Sequence, residues 1–114
     1  MALGVVTTQP QQGVWVAEWA SLANGESGLP ASIPVEAATR SVQVSGTFGV
    51  GGNAIIEGSN DGTTWATLMN SQGTALGTLT AAVIHDIAQN TRFIRPRISA
   101  GDGATALKVT LVAV

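Results

Sequence analysis

The chain contains no cysteine, a single histidine and unusually few charged residues. Without cysteine it forms no disulfide bond and no thiolate zinc site, and one histidine cannot build a histidine-cluster metal site. Charged residues make up 11% of the 114 residues, against about 25% in ordinary soluble domains. So little charge is typical of a polar but uncharged surface rich in Thr, Ser, Asn and Gln, or of a surface that faces other protein.

Basic character and long apolar runs are also missing. The net charge is -2 and the isoelectric point is about 5.0, so the chain lacks the electrostatic footprint of a nucleic-acid-binding protein. No stretch approaches the roughly 18 consecutive apolar residues of a membrane helix. The first residues lack the basic region and apolar run of a signal peptide. We therefore expect no nucleic-acid or membrane partner, and synthesis and use in the cytoplasm without secretory processing.

Short alternating runs of apolar and polar residues fill most of the chain, and clusters of Gly, Asn, Asp and Ser separate them. This pattern predicts an all-β fold of about eight strands, an antiparallel β-sandwich with a jelly-roll-like strand order. Residues 1–13 have no periodic face and predict an extended N-terminal arm before a single domain at 14–114. The predicted strands cover residues 14–20, 40–48, 54–59, 63–69, 81–88, 91–98 and 105–113.

Alternation within a strand also predicts which side chains face the core, because successive residues point to opposite faces. Trp15 and Trp19 share one face, which is either core packing or a platform for a partner or ligand. Pro96 cannot donate a hydrogen bond to a neighbouring strand and so indicates an edge or a bulge. The other predicted core side chains are Val42, Val44, Phe48, Leu107, Val109, Leu111 and Ala113.

Candidate catalytic residues are sparse. His85 and Asp86 are adjacent on a predicted strand and point to opposite faces, so they do not pair as a histidine and its carboxylate. The spacing of the seven acidic residues selects no pair for acid–base catalysis. Asp61 and Asp102 lie in NDG and GDG turns, which turn chemistry explains; calcium binding is the alternative reading and needs about six oxygen ligands. We therefore predict that the protein is not an enzyme and uses no cofactor.

Positive charge is concentrated in one predicted strand. Arg95 and Arg97 share a face opposite Ile94 and Ile98, whereas Arg92 has the other parity. Arginine forms bidentate bonds to carboxylates and is common at protein interfaces. The pair is either a solvated surface or a docking stripe for an acidic partner.

Two segments carry resemblances to known families. IEGSNDGTTWATL, at 56–68, and NTRFIRPRI, at 90–98, resemble two strands of discoidin-like and carbohydrate-binding jelly rolls. Discoidin-type domains are usually longer and often contain a disulfide that this chain cannot form. The whole chain is more similar to small virion proteins of tailed bacteriophages, in which the same hairpin recurs together with RFIRPRI, a GDG turn and a last strand.

The phage resemblance implies a structural virion protein, a capsid decoration (cement) protein that contacts the major capsid protein on the outer head surface. It also implies self-association, for example as trimers at lattice symmetry points. The alternatives are a carbohydrate-binding module on a phage surface or fibre, with Trp15, Trp19 or Trp65 as the stacking face, and a small tail or baseplate component. The implied contacts are an arm and sheet edges, which we assign to Val5, Val6, Gln9, Gln11, Gln12, Arg95 and Arg97.

Overall fold

A computed structural model describes residues 2–34 and 36–114. All the secondary-structure elements assigned in these ranges are β-strands. In the described part no helix is long and apolar enough to cross a membrane. The strands are β1 (Ala2–Leu3), β2 (Val6–Gln11), β3 (Val14–Leu22), β4 (Ser27–Gly28), β5 (Ala31–Ser32), β6 (Arg40–Thr47), β7 (Asn53–Ser59), β8 (Ala66–Thr67), β9 (Val83–Ile87), β10 (Phe93–Ala100) and β11 (Ala106–Ala113).

The strands form two sheets that pack face to face. The six-stranded sheet has the order β1-β4-β10-β7-β8, with β5 also paired to β10, and the five-stranded sheet has the order β2-β3-β11-β6-β9. If β4 and β5 are counted as one strand, eight strands follow from β3 onward. One sheet contains them in the order β3-β11-β6-β9 and the other in the order β4/β5-β10-β7-β8. This is jelly-roll connectivity, so the predicted all-β sandwich is confirmed.

The segment predicted as an arm is extended, but it pairs within the domain. β2 runs antiparallel to β3, with Val6 opposite Glu18, and β1 runs parallel to β4. A two-residue turn at 12–13 joins β2 to β3. The pattern gave no strand signal here because TTQPQ has no apolar alternation, and Pro10 is tolerated because β2 is an edge strand. Met1 lies outside the described residues.

The core lies between the sheets and follows the predicted alternation. Trp19 is fully buried, and its indole N–H donates a hydrogen bond to the carbonyl of Leu29 (2.9 Å). Phe48 and Trp15 are half-buried and pack against the edge of the core. The remaining predicted core residues are all buried, namely Val42, Val44, Leu107, Val109, Leu111 and Ala113.

Two predicted boundaries differ from the structure. The strand expected at 63–69 is reduced to β8, because Asp61 accepts hydrogen bonds from the backbone N–H groups of Thr63 and Thr64 and so extends the turn. The loop expected at 21–34 contains the short strands β4 and β5. Both differences arise from pairing and side-chain bonds that residue periodicity does not encode.

Pro96 lies in a central strand at a position where the strand loses no hydrogen bond. Its partner in β7 is Ile56, whose N–H donates to Leu76 and whose carbonyl accepts from Leu68 on the far side of β7. The Ile56–Pro96 pair is therefore not hydrogen-bonded, and the nitrogen of Pro96 faces the break between β5 and β4. The expected edge is thus local, and a bulge follows between Ile98 and Ala100.

Candidate interaction surfaces

Arg95 and Arg97 lie on the outer face of the six-stranded sheet and share one carboxylate. β10 pairs with β7 so that Glu57 is directly opposite Arg95. One oxygen of Glu57 accepts from Nε of Arg95 (3.1 Å) and the other accepts from Nε of Arg97 (3.3 Å). The Glu57 side chain is 10% exposed, whereas those of Arg95 and Arg97 are 26% and 40% exposed. The carboxylate therefore lies beneath two guanidinium groups that reach solvent.

Aromatic rings position the guanidinium groups on this face. The β7–β8 hairpin returns the chain over β7, so that the ring of Trp65 lies 4.2 Å from the Arg95 guanidinium carbon. The guanidinium of Arg92 lies over the ring of Phe93, 5.0 Å from its centroid. Phe93 has the same parity in β10 as Arg95, so Arg92 also reaches this side of the sheet. The alternation of the predicted strand placed Arg92 on the opposite side of the sheet. That prediction is wrong because Arg92 lies before the first residue of β10, Phe93.

We call the surface formed by Arg92, Arg95, Arg97 and Glu57 the arginine face. Three guanidinium groups and one carboxylate give it a charge of +2, although the whole chain carries -2. Of the other two basic residues, Arg40 is buried and Lys108 pairs with Glu18 at 3.6 Å on the opposite sheet. The molecule is therefore electrostatically two-sided, with its exposed positive charge gathered on one sheet face.

The outer face of the five-stranded sheet is nearly free of net charge. Strand registers place one row of side chains across all five strands, and Glu18, its one charged member, pairs with Lys108 of the neighbouring row. Val6 and Ile84 end the row at opposite edges and are 63% and 64% exposed. Asp86 lies in the row next to it, beside Ser41, and gives this outer face a net charge of -1; its carboxylate accepts a hydrogen bond from the backbone N–H of Ser71. We call this surface the neutral face; it comprises Val6, Thr8, Val16, Glu18, Ser41, Gln43, Ile84, Asp86, Lys108, Thr110 and Val112.

The two edges of this sheet differ. β2 contains Pro10 and an irregular register between Thr8 and Gln11, features that discourage pairing with another strand. The other edge strand is β9. Thr39 and Val114 exchange two backbone hydrogen bonds, so the odd-numbered residues of β6 bond to β11 and the even-numbered residues bond to β9. The backbone groups of Ile84 and Asp86 therefore point away from the sheet. Residues 69–71 cover the end of β9, where Ala88 donates to the carbonyl of Met69 and the Asp86 side chain accepts from Ser71, so the open part of this edge is at Ile84.

The predicted contact residues do not form one surface. Val5 packs against the core, whereas Val6, Gln9 and Gln12 are exposed along β2 and the turn that follows it. The side chain of Gln11 lies outside the described residues. Arg95 and Arg97 are on the opposite sheet, so the expected contacts divide into two separate regions. Sequence reasoning missed Glu57, because only the pairing of β7 with β10 brings it to the arginines.

The tryptophan rings are mostly covered. Trp19 is fully buried and Trp15 packs against the core. Trp65 is partly exposed, and one face of its ring is covered by Arg95. The core-packing reading of Trp15 and Trp19 is therefore confirmed, and Trp65 is the tryptophan that remains for a surface role.

The groups with potential reactivity are dispersed. Nδ1 of His85 lies 3.5 Å from the amide nitrogen of Asn70, and Asp86 accepts a hydrogen bond from the backbone of Ser71. A shallow depression beside His85 has a volume of about 220 Å³ and is lined mainly by residues 78–83. In the ranges 2–34 and 36–114, no three His, Asp or Glu side chains lie close enough together to hold a metal ion.

The turn carboxylates are engaged by the backbone of their own loops. Hydrogen bonds from the N–H groups of Thr64 and Thr63 hold the pKa of Asp61 well below its usual range. Bonds from the N–H groups of Val50 and Ala104 likewise lower the pKa of Asp102. These contacts favour the turn reading of both residues, since the carboxylates close the β7–β8 hairpin and join the β6–β7 and β10–β11 loops.

Together these features define a β-sandwich domain of jelly-roll connectivity with one neutral and one positively charged outer face. No family model, curated protein or solved structure matches the chain.

Proposed function

We propose that this protein is a structural component of a tailed-bacteriophage virion, a capsid decoration protein that binds the outer head surface and stabilises the shell. The neutral face is the observation that carries the proposal. A charged surface must lose favourable hydration when it meets another protein, whereas Val, Ser, Thr and Gln side chains are desolvated at lower cost. The resemblance of the IEGSNDGTTW hairpin, the RFIRPRI strand, the GDG turn and the last strand to small phage virion proteins directs the proposal to the capsid.

The dimensions of the neutral face suit a lattice contact. Five strands spaced about 4.8 Å apart, each with about six residues, present a surface of about 24 by 20 Å. That is about half of the roughly 800 Å² that each partner buries in a standard interface. The sheet edges and neighbouring loops would supply the rest, and the outward-pointing backbone of β9 is where we place strand pairing with the capsid protein or with a second copy.

Charged substitutions on this face test the proposal. Val6→Asp and Ile84→Asp each place a carboxylate on an exposed apolar position, so folding should be retained while capsid binding is lost. Each variant would be mixed with phage heads assembled without this protein, and binding would be measured by pelleting. We expect apparent affinity to fall by at least about tenfold, the equivalent of about 1.4 kcal/mol.

Val50→Asp is the matched control. Val50 is 80% exposed but lies in the β6–β7 turn, away from the neutral face, so this variant should bind as the wild type does. Equal binding by all three variants would contradict the assignment of the neutral face. Failure of the wild-type protein to bind would contradict the capsid proposal itself.

The carbohydrate-binding alternative depends on Trp65. A sugar ring would have to stack on the indole face that Arg95 leaves open, because Trp15 and Trp19 are packed in or against the core. Saturable binding to a glycan array that is lost in Trp65→Ala would favour this alternative over the capsid proposal.

A further inference from the structure

The arginine face has hydrogen-bond donors that contact no acceptor within the described part of the domain. Glu57 bonds to the Nε atom of each arginine. Among the described residues no hydrogen bond reaches the terminal Nη atoms of Arg95 or Arg97. A guanidinium has five N–H donors in a fixed plane, so both groups retain donors that face solvent. The two arginines are also held in position, Arg95 between Glu57 and Trp65.

We infer that the arginine face binds an extended acidic polypeptide segment with carboxylates at alternate positions. Arg95 and Arg97 are two residues apart on one strand, so their side chains emerge about 6.6 Å from each other. An extended peptide repeats its side chains on one face at the same interval, so Asp or Glu at positions i and i+2 would match the two guanidinium groups. Arg92 lies farther along the same face and would take a third carboxylate.

Glu57 shows that this geometry suits a carboxylate. It bridges the two arginines from below through charge-assisted bonds of 3.1 and 3.3 Å. A second carboxylate at the Nη atoms would approach from solvent on the other side. The local charge is +2 with Glu57 already included, so the complementary ligand is anionic.

A peptide fits the observations better than a nucleic acid. The net charge of the molecule is -2, and its five remaining acidic residues, outside the two ion-paired clusters, would repel a long polyanion. A short acidic segment that contacts only the arginine face avoids this repulsion. The inference uses the sheet opposite the neutral face and stands without the capsid assignment.

Two synthetic peptides of identical composition provide the probe. Ser-Glu-Ser-Glu-Ser-Glu-Ser places its carboxylates on one side of an extended chain, and Glu-Ser-Ser-Glu-Ser-Ser-Glu does not. Both would be titrated into the full chain by calorimetry at low ionic strength, where surface charge is least screened. We expect saturable binding of the alternating peptide and affinity at least about fivefold lower for the other.

Arg97→Gln and Lys108→Gln distinguish the arginine face from a general charge effect. Each removes one positive charge, but Lys108 is on the opposite sheet. We expect Arg97→Gln to weaken binding of the alternating peptide by at least about fivefold and Lys108→Gln to change it by less than about twofold. Thermal melting would confirm that both variants are folded.

Three results would overturn the inference. They are the absence of saturable peptide binding, equal affinity for the two peptides, and tighter binding of a dT oligonucleotide than of the alternating peptide. The last result would identify the ligand as a nucleic acid. Because the titration contains no capsid, a negative result would leave the capsid proposal to its own test.

Discussion

At the scale of single residues, two buried side chains hold loops whose structure the alternation of apolar and polar residues does not predict. Arg40 is buried, and its guanidinium donates to the carbonyls of Ala37 (3.0 Å) and Thr91 (2.6 Å). Burial lowers the pKa of this group, yet the two charge-assisted bonds join the loop before β6 to the loop before β10. Trp19 similarly joins β3 to the chain between β4 and β5 through its bond to Leu29.

Gly28 is the residue on which the position of Trp19 depends. A Cβ atom at position 28 would overlap the indole nitrogen of Trp19 and lie 2.8 Å from Cδ of Pro96. The indole is buried and hydrogen-bonded, so it cannot move aside without loss. We expect Gly28→Ala to reduce the free energy of unfolding by about 1–3 kcal/mol, measured by urea denaturation.

Gly103→Ala is the control for this substitution, because a Cβ there meets no atom within 4 Å. It should change stability by less than about 0.5 kcal/mol. A Gly28→Ala protein as stable as Gly103→Ala would show that Trp19 is not packed as described.

At the scale of elements, the β7–β8 hairpin connects turn chemistry to the arginine face. Ser59 donates to Asp61 (2.8 Å) and accepts from the N–H of Gly62 (2.9 Å), while Asp61 accepts from two backbone N–H groups farther on. This network sets the direction in which the chain leaves the turn. Trp65 therefore returns over β7 and stacks on Arg95.

The lowered pKa of Asp61 gives the hairpin a pH dependence of known sign. Its folded-state pKa is depressed, so the carboxylate stabilises the fold above its unfolded pKa of about 3.9 and loses that contribution as pH falls toward the folded value. We expect the urea concentration at the unfolding midpoint to decrease when the pH is lowered below about 4. The decrease should be smaller in Asp61→Asn, because asparagine keeps a hydrogen-bond acceptor but does not titrate.

Part of this dependence should persist in the variant, because Asp86 and Asp102 also have lowered pKa values. Glu36→Gln is the control variant for Asp61→Asn, because it also removes one negative charge but lies outside these three turns. If Asp61→Asn and wild type show the same pH dependence, the turn network does not stabilise the folded state.

Each of the seven predicted strands has a counterpart in the structure, whereas β1, β2, β4 and β5 were missed. β6 and β11 alternate between apolar and polar residues along their length, and their core faces were identified correctly. β2, β4 and β5 lack alternation and owe their strand geometry to neighbours. The shared face of Arg95 and Arg97 followed from parity, but their bonds to Glu57 depend on the register between β7 and β10, which no local pattern encodes.

At the scale of the whole molecule, the sparse charge is distributed unevenly between two outer faces. The neutral face contains the Glu18–Lys108 ion pair and the carboxylate of Asp86, and the arginine face carries +2. Charge is therefore sparse on one outer face and concentrated on the other. If both proposals hold, the protein contacts two neighbours through different faces, one through weakly charged surface and one through carboxylates.

If this protein stabilises a phage head as proposed, its binding should raise the rupture temperature of the shell. Heads assembled without the protein would be titrated with purified wild-type chain and heated while DNA release or light scattering is followed. We predict that the rupture temperature rises and then saturates as the binding sites fill. An unchanged rupture temperature at saturating protein would show that the protein does not stabilise the shell.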